Sequence, residues 1–458
     1  MMGNKKKLAL MVFAALLILG SGLFVFLQRQ GYFSKERLIV GSLSAFEKMA
    51  KLLPIGNDTK KEIETVNNLV QEVTKKDNVK RRYLLLLQNN MELRPGGGFL
   101  GQYAVITVEN GVASSHFVED ANLLDQRISA KITPPYPFQR MMGLKKWKFR
   151  DSNFSPDFPT NVEKAKYFFR LAGGNSNFDG VIAVNATVLN DILAITGPIT
   201  VGGIEYNSQN GFLKLEEQVE KVYIYNTDLD TQNRKWVMKK LADAVMAKLM
   251  KLNNIPKIAD LVLEELRNKD IMINFTDSDL QKSVEQVHWD GRVSQDWGGD
   301  YLMVVDANMG ALKSDYYIKR EIFYEVDLTG EKPTAYLKIN YTHTATHGDW
   351  RTSDYHSYLR VYAPKGANLL ENKMVSYPIV KDELEKTSLG FICHVLIARG
   401  TPAEIRYELP ESVRENYKLL VQKQSGVGDV PIHIKVKTRD GEVAHDGILK
   451  KDLKLEFN

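Results

Sequence analysis

The stretch Asn89-Asn-Met-Glu-Leu-Arg-Pro-Gly-Gly-Gly-Phe-Leu-Gly101 directly follows the apolar run Tyr83-Leu-Leu-Leu-Leu87. A short continuous apolar run between polar segments is typical of a buried strand. In α/β proteins, ligand sites tend to form just beyond the carboxyl ends of such strands. The sequence therefore predicts an α/β fold with a candidate site in the turn that follows this strand.

The composition of the turn supports two interpretations. Three consecutive glycines let backbone N–H groups approach an anion, and a nearby arginine suits phosphate or carboxylate. No Lys-Ser or Lys-Thr follows the glycines, and the dinucleotide spacing is absent, so the turn is not a P-loop or a Rossmann motif. In the alternative, the asparagines fix the loop, Arg94 pairs with Glu92, and the glycines allow close packing. The candidate site residues here are Asn89, Asn90, Glu92, Arg94, Gly96, Gly97 and Gly98.

A second polar cluster lies in Trp147-Lys-Phe-Arg-Asp-Ser-Asn-Phe-Ser-Pro-Asp-Phe-Pro159. Its two aspartates could hold a divalent cation such as Mg²⁺, because hard cations take carboxylate and carbonyl oxygens. The spacing matches no metal motif, and the alternative is an ordered loop in which Asp and Ser side chains cap the backbone. The candidates here are Arg150, Asp151, Asn153, Ser155 and Asp157.

A third polar segment, with Asp306, Asn308 and Lys313, also follows a strand-like run. It is either a linker into the next domain or a third loop of the same site. Sequence spacing does not decide whether the three loops meet.

The N-terminus predicts the location of the protein. Residues 8–27 are apolar or small and carry no charge, which is long enough to cross a bilayer as a helix. Lys5, Lys6 and Lys7 precede them, so the positive-inside rule keeps the N-terminus cytoplasmic and the bulk of the chain extracytoplasmic. A cleaved signal peptide is less consistent with this pattern, because its apolar region is shorter, about 7–15 residues.

Composition narrows the function classes. The chain has 458 residues and a formal net charge of +5, part of which comes from the lysines before the apolar segment. Since no dense Lys/Arg stripe is interleaved with aromatics, we expect no nucleic-acid partner. Cys393 is the single cysteine and lies in a strand-like apolar run, which predicts a small buried side chain rather than a nucleophile.

The patterns divide the chain into four segments. Residues 1–31 are the Lys-rich tip and transmembrane helix, and residues 32–79 are a helical stalk. Residues 80–314 mix strands and helices and predict an α/β domain with a mixed sheet and flanking helices. Within it, Asn110-Gly111 predicts a hairpin turn, residues 120–158 an irregular loop, residues 161–171 a helix, and residues 301–305 a strand that closes the domain. From residue 315 to 458, short segments alternate apolar and polar residues, which predicts an all-β sandwich.

Three histidines, His343, His347 and His356, lie close together in sequence. They show no tight metal-ligand spacing, so a solvated hairpin end is favoured over a metal site. No Gly-x-Ser-x-Gly or His-Glu-x-x-His motif is present, and hydrolase or zinc-protease activity has no motif behind it.

The sequence resembles the bacterial domain-of-unknown-function family 4012, whose members are described mainly as membrane-anchored and extracytoplasmic. That family implies no activity. The matching stretches are Leu84-Leu-Leu-Leu-Gln-Asn-Asn-Met-Glu-Leu-Arg-Pro-Gly-Gly-Gly-Phe99, Arg150-Asp-Ser-Asn-Phe-Ser-Pro-Asp-Phe-Pro159, Phe178-Asp-Gly-Val-Ile182, Thr196-Gly-Pro198, and Asp306-Ala-Asn308 with Lys313-Ser314.

A more remote resemblance concerns Phe178-Asp-Gly-Val-Ile-Ala-Val-Asn185 and Thr196-Gly-Pro-Ile-Thr-Val201. They look like a strand–helix–strand of the LytR-CpsA-Psr phosphotransferases, which move glycopolymers from polyprenyl-pyrophosphate carriers onto the cell wall. The resemblance implies a LytR-CpsA-Psr-like α/β domain. It further implies catalytic roles in which Arg94 and Arg150 hold pyrophosphate and Asp151 or Asp157 holds Mg²⁺. That family's own catalytic loops are replaced here by the Asn-Asn-Met-Glu-Leu-Arg and Ser-Pro-Asp-Phe stretches.

Two functions remain open at this point. The first is an anchored envelope protein that binds or transfers lipid-linked or cell-wall glycopolymer phosphates, with Mg²⁺ as a candidate cofactor. The second is a non-catalytic cell-surface adhesion or scaffold protein. Buried ion pairs among the arginines and aspartates would favour the second, and a shared cleft would favour the first.

Overall fold

A computed structural model describes residues 56–221, 231–249 and 255–457. The chain forms two compact units, each assembled from separate stretches. Unit 1 takes residues up to 88, 101–124 and 174–290, and unit 2 takes 89–100, 125–173 and 291 onward. The predicted anchor at residues 8–27 lies outside the described residues. None of the helices within these ranges is long and apolar enough to cross a membrane.

The helices follow the apolar periodicity of the sequence, and the described ones are numbered in chain order. They are α1 (Asn57–Thr74), α2 (Ala121–Arg127), α3 (Tyr136–Met142), α4 (Phe158–Leu171), α5 (Val188–Thr196), α6 (Gly211–Glu216), α7 (Thr231–Leu249), α8 (Ile255–Asn268) and α9 (Ser278–Gln286).

Unit 1 contains a mixed sheet, as the sequence predicts. The strands are β1 (Lys80–Arg94), β2 (Gly97–Glu109), β3 (Val112–Asp120), β4 (Gly180–Asn185), β5 (Ile199–Val201), β6 (Ile204–Tyr206) and β7 (Ile271–Phe275). The five-stranded sheet has the order β3-β2-β1-β4-β7, and β5 pairs with β6 alone. The β1–β4 pair is parallel, and the β2–β3 and β4–β7 pairs are antiparallel.

Local chemistry explains two features of this sheet. Leu84 and Leu86 are fully buried, because β1 lies inside the sheet and is covered on both faces. Asn110 and Gly111 join β2 to β3 with φ angles of 55° and 76°. A two-residue hairpin turn of this type needs positive φ at both positions, and the Asn-Gly pair meets that need at little cost.

The segment predicted as a stalk is partly built into unit 1. Within α1, Leu69 and Val70 are fully buried in the same apolar core as Val284 of α9. Thr65 Oγ1 also donates to the Ser283 carbonyl oxygen at 3.0 Å. In its described part, this segment is therefore a core helix.

Unit 2 is rich in strands. Among its described residues they are β8 (Asp300–Val305), β9 (Ile318–Asp327), β10 (Thr334–His343), β11 (Tyr355–Pro364), β12 (Asn368–Lys373), β13 (Ser376–Glu383), β14 (Lys386–Val395), β15 (Gly400–Glu408), β16 (Lys418–Val421), β17 (Val430–Thr438), β18 (Gly441–Leu449) and β19 (Leu453–Glu456). They form two six-stranded sheets with the orders β12-β15-β10-β9-β17-β18 and β13-β14-β11-β8-β16-β19. Buried side chains of both sheets share one core, which is compatible with a β-sandwich.

Two segments of unit 2 differ from the sequence prediction. Residues 301–305, expected to close the α/β domain, form β8 between β11 and β16. A fully buried apolar strand has no alternation that would reveal its partners. Residues 120–158, expected to be irregular, contain α2, α3 and a 3-10 turn at Phe149–Asp151.

Candidate functional site

The first of the three predicted polar loops is mostly strand: residues 89–94 are the end of β1 and Gly97 begins β2, so only Pro95 and Gly96 form the turn. The three predicted segments contact one another within unit 2, and residues 89–98 are still called the first loop below. Gly96 N donates to the Asn153 carbonyl oxygen at 3.1 Å, which joins the first loop to the second. Asn308 N donates to the Leu93 carbonyl oxygen at 2.9 Å, which joins the third loop to the first. Tertiary structure thus brings together segments whose convergence the sequence left open.

The glycines of the first loop allow close backbone packing. A Cβ on Gly96 would lie 2.3 Å from Asn161 Nδ2, and one on Gly98 would lie 2.3 Å from the Asn89 carbonyl group. Gly97 has φ +126°, a conformation that favours glycine. A Cβ on Gly426 would in turn lie 2.5 Å from the Gly97 carbonyl oxygen. The close approaches at Gly96 and Gly98 fit the close packing that the second interpretation assigns to the glycines.

Arg94 is the most deeply buried charge of the first loop, at 1% exposure. Its Nη1 donates to the Asn308 carbonyl oxygen at 2.7 Å, and its Nε lies 3.5 Å from Asp151 Oδ1. The guanidinium also lies over the rings of Phe99 and Phe138. The second interpretation of the turn predicted an Arg94–Glu92 ion pair, whereas in the structure Arg94 pairs with Asp151.

Asp151 is the partner that balances Arg94 in this interior. Burial raises the pKa of Asp151, while the charges of Arg94 and then Arg150 act in the opposite direction. A carboxylate removed from water is stable as an anion only when a cation compensates for the lost hydration. The Arg94–Asp151 pair is therefore interdependent, since loss of either partner leaves a buried charge.

Arg150 makes a second and separate ion pair. Its Nε lies 3.2 Å from Asp125 Oδ2, and the side chain of Arg150 is 36% exposed while that of Asp125 is 2% exposed. Asp125 Oδ1 also accepts from Phe149 N at 2.8 Å. Burial is the main cause that raises the pKa of Asp125, to about 6. Asp125 was not predicted as a site residue, because it lies in the stretch 120–158 that the sequence predicts to be irregular.

The remaining polar residues of the second loop fix its backbone. Asn153 Nδ2 donates to the Gly98 carbonyl oxygen at 2.5 Å. The Asn161 side chain bonds both the N–H and the carbonyl oxygen of Ser155, at 2.9 and 2.8 Å. Loop residues of this kind substitute side-chain hydrogen bonds for regular secondary structure.

Asp157 caps helix α4. Its Oδ2 accepts from Thr160 N at 3.0 Å, which satisfies one of the free N–H groups at the start of the helix. Its Oδ1 accepts from Val293 N at 3.1 Å. Asp157 and Asp151 therefore bind different partners, and the two do not act as one pair of ligands.

Glu92 and Lys313 form a buried ion pair between the first and third loops, with 2.8 Å between Oε1 and Nζ. Asn308 Nδ2 donates to Asp315 Oδ2 at 2.8 Å, and Leu93 N donates to the same oxygen at 3.0 Å. The third loop is thus bound to the first by side chains of both charge signs.

The two asparagines at the start of the first loop also bond within unit 2. Asn89 Oδ1 accepts from Met91 N at 3.0 Å, and Asn90 Nδ2 donates to the Gly426 carbonyl oxygen at 3.1 Å. Both asparagine side chains therefore fix the backbone of this segment, as the second interpretation of the turn predicted.

A further polar network of unit 2 centres on Arg320, which sequence analysis did not identify. Its Nε lies 2.7 Å from Asp306 Oδ2, and its Nη2 lies 2.8 Å from Asp315 Oδ1. Arg320 shares its strand face with the buried residues Ile322 and Tyr324. A charged residue on the buried face of an alternating strand is a sequence signal for a paired charge, since unpaired charges are excluded from cores.

The predicted carboxylates do not converge on a metal site within the described residues. Within the described residues, no group of three or more His, Cys, Asp or Glu side chains converges closely enough to hold a metal ion. Five buried polar atoms of the site nevertheless make no hydrogen bond, namely Arg94 Nε, Asp151 Oδ1, Ser152 Oγ, Asn153 Oδ1 and Asp125 Oδ2. The first two of these face each other in the ion pair.

Comparison with protein families identifies part of the chain. Residues 78–219 match the sequence model of a family described as a protein of unknown function, DUF4012. The match confirms the resemblance to this family for the quoted stretches between residues 84 and 198. The DUF4012 segment includes the glycine turn and the 150–157 loop, whereas Asp306, Asn308 and Lys313 lie outside it. The family description assigns no activity to the site.

Other comparisons add no functional information. No curated protein matches the sequence. Among solved structures, the chain is similar to the Lin1025 protein from Listeria innocua, with 14% identity and a TM-score of 0.23. That match covers 49% of this chain and 85% of the other. The resemblance to LytR-CpsA-Psr enzymes is not tested by these comparisons and stays a prediction.

Proposed function

We propose that the protein is a membrane-anchored, extracytoplasmic protein of the cell envelope that acts as a non-catalytic adhesion or scaffold protein. In this proposal the polar loops are structural, and the β-sandwich binds a protein or glycan partner. The observation that carries it is the pairing of the candidate catalytic groups, in which Arg94 binds Asp151 and Asp157 caps a helix.

Catalysis of phosphoryl transfer needs cations aimed at the position where charge develops on the substrate. The Arg94 side chain is 1% exposed, and its charge is already balanced by the Asp151 carboxylate. The charge is therefore not directed at a position that a substrate could occupy. Lys313 is 5% exposed and is balanced by Glu92 in the same way. The arrangement supports a rigid loop cluster better than a phosphate site.

A second candidate function is binding or transfer of lipid-linked glycopolymer phosphates, in a LytR-CpsA-Psr-like α/β domain. It is favoured by one observation, the Ser152 hydroxyl oxygen, which is buried and makes no hydrogen bond. Such atoms normally have a partner, because an unsatisfied buried polar group costs about 1–3 kcal/mol. A phosphate oxygen that reaches this segment could accept a hydrogen bond from the Ser152 hydroxyl group, with Arg150 as the partly exposed cation.

The two functions are separated by polyprenyl-pyrophosphate binding to the full-length chain in detergent, with and without Mg²⁺. The scaffold proposal predicts no saturable Mg²⁺-dependent binding. Arg150→Ala is the informative variant because its side chain is partly exposed, and Lys146→Ala, an exposed lysine of the same loop, is the matched control. Saturable binding that Arg150→Ala removes and Lys146→Ala preserves would establish the transferase-like alternative.

The predicted location is tested by labelling intact cells with a membrane-impermeant maleimide. Cys393 is fully buried and its thiol pKa is raised by burial to about 12, so the native cysteine gives a low background. Glu442→Cys, at an exposed position of β18, is expected to react in intact cells. Lys6→Cys is expected to react only after permeabilisation, and the reverse pattern would contradict the proposed orientation.

A further inference from the structure

Two histidines of unit 2 face each other across neighbouring strands. His356 on β11 is the register partner of His394 on β14. The carbonyl oxygen of His356 accepts from Met309 N at 2.8 Å, so the backbone of His356 is directed away from β14. In an antiparallel ladder this makes the two histidines a non-hydrogen-bonded pair, with Cα atoms only about 4.5 Å apart. The register therefore holds the two rings close together.

The two imidazole rings approach each other through their Nδ1 atoms. The two Nδ1 atoms lie 2.5 Å apart, the ring centroids 4.7 Å apart, and the ring planes cross at 77°. Strand alternation places the neighbouring Ser357 and Cys393 in the interior at 0% exposure. The histidines lie on the opposite face of the two strands, beside the buried Tyr358 and Ile392, at a position where His394 is exposed and His356 half-exposed.

Two nitrogen lone pairs at this separation repel unless an electrophile is held between them, either a shared proton or a metal ion. Zn–N bonds of about 2.0–2.1 Å place two neighbouring ligand nitrogens roughly 2.9–3.4 Å apart. The observed pair therefore has to open by less than about one ångström, which a small rotation of the exposed His394 ring provides.

We propose that His356 and His394 form a surface binding site for a first-row transition-metal ion such as Zn²⁺, Cu²⁺ or Ni²⁺. Imidazole nitrogen suits these ions, whereas Mg²⁺ prefers oxygen ligands, so this site is distinct from the magnesium expectation for the loops. Asp354 adds negative charge near His394. Because no third protein ligand converges within the described residues, water completes the coordination and the ion stays exchangeable.

The test measures Zn²⁺ binding to the full-length chain by calorimetry and the nitrogen hyperfine signal of bound Cu²⁺ by electron paramagnetic resonance. His356→Asn and His394→Asn are each expected to weaken binding about tenfold or more. His347→Asn, which changes an exposed histidine outside the pair, is expected to leave the affinity unchanged. The Cu²⁺ spectrum of the wild-type chain should report two imidazole nitrogens and that of either variant fewer.

Two results would overturn the inference. One is the absence of saturable binding to the wild-type chain, which would mean that the pair only shares a proton. The other is equal binding by the wild type and both variants, which would place the ion elsewhere. Thermal unfolding verifies that the variants are folded, and if His356→Asn is unstable, His394→Asn on the exposed ring decides the question alone.

Discussion

Each unit contains buried ionisable side chains in contact, and the two sets differ in charge. In unit 2, the Arg94–Asp151 and Lys313–Glu92 pairs each join a buried cation to an anion. In unit 1, the carboxyl groups of Asp191 and Glu265 interact with each other, and burial is the main cause that raises the pKa of both, that of Glu265 to about 9. Glu265 is only 5% exposed.

The two kinds of buried pair are expected to have different effects on stability. The oppositely charged pairs of unit 2 join loops that lack regular backbone hydrogen bonds, so these ion pairs help to hold the loops in place. Two carboxyl groups that share one region favour the protonated form of one of them, because the doubly ionised state is repulsive. The Arg94–Asp151 pair is therefore expected to be sensitive to loss of a partner, and the Asp191–Glu265 pair to pH.

The largest effect is expected for Arg94→Ala. The substitution leaves Asp151 buried without its cation, which typically costs about 3–5 kcal/mol. The change in unfolding free energy is measured by urea denaturation followed by circular dichroism. Lys365→Ala, which breaks an exposed pair with Glu385, is the control and should leave the midpoint unchanged. Equal stability of Arg94→Ala and the wild type would show that the pair does not hold the loops.

A smaller effect is expected for Gly96→Ala, which tests whether unit 2 also depends on close backbone approach. The new Cβ would lie 2.3 Å from Asn161 Nδ2 and would displace the side chain that holds Ser155. Overpacking of this kind costs about 1–3 kcal/mol. Gly298→Ala is matched to it, because a Cβ there meets nothing within 4 Å. A similar loss for both variants, measured by the same denaturation, would reject the packing explanation.

The third effect depends on pH and is expected for Glu265→Gln in unit 1, where the stability difference should grow by up to about 1.4 kcal/mol per pH unit. Since the folded-state pKa of Glu265 is raised to about 9, the folded chain holds a proton that the unfolded chain releases above its ordinary pKa. Wild-type stability should therefore fall as pH rises from the ordinary carboxyl range towards pH 9. Glutamine keeps a hydrogen-bond donor and releases no proton on unfolding. The free energy of unfolding of the variant should therefore exceed that of the wild type by an amount that increases above pH 6.

The matched control for that prediction is Glu64→Gln, at an exposed position of α1 in the same unit. It should keep the pH dependence of the wild type. Parallel pH profiles for Glu265→Gln and the wild type, in melts recorded from pH 5 to 9, would show that Glu265 does not carry the sensitivity attributed to the Asp191–Glu265 pair.

Local features of the fold were predictable because short-range chemistry specifies them. The Asn110-Gly111 hairpin follows from the need for positive φ, and β1 follows from its apolar run. Helix α4 was expected at 161–171 and begins earlier, at Phe158, because Asp157 supplies the cap. The partners of β8 were not predictable, since a strand buried on both faces carries no periodic signal of the sheet it joins.

The candidate site divides in the same way. The sequence by itself determined which polar residues follow the apolar run, the match of residues 78–219 to the DUF4012 family model, and a predicted anchor at residues 8–27. Tertiary structure alone decided the partners, giving Asp151 to Arg94, Lys313 to Glu92, and Asp125 to Arg150. The physical reason is that pairing between charges distant in sequence is set by how strands and loops fold back in space, whereas turns, caps and apolar runs are set by neighbouring residues.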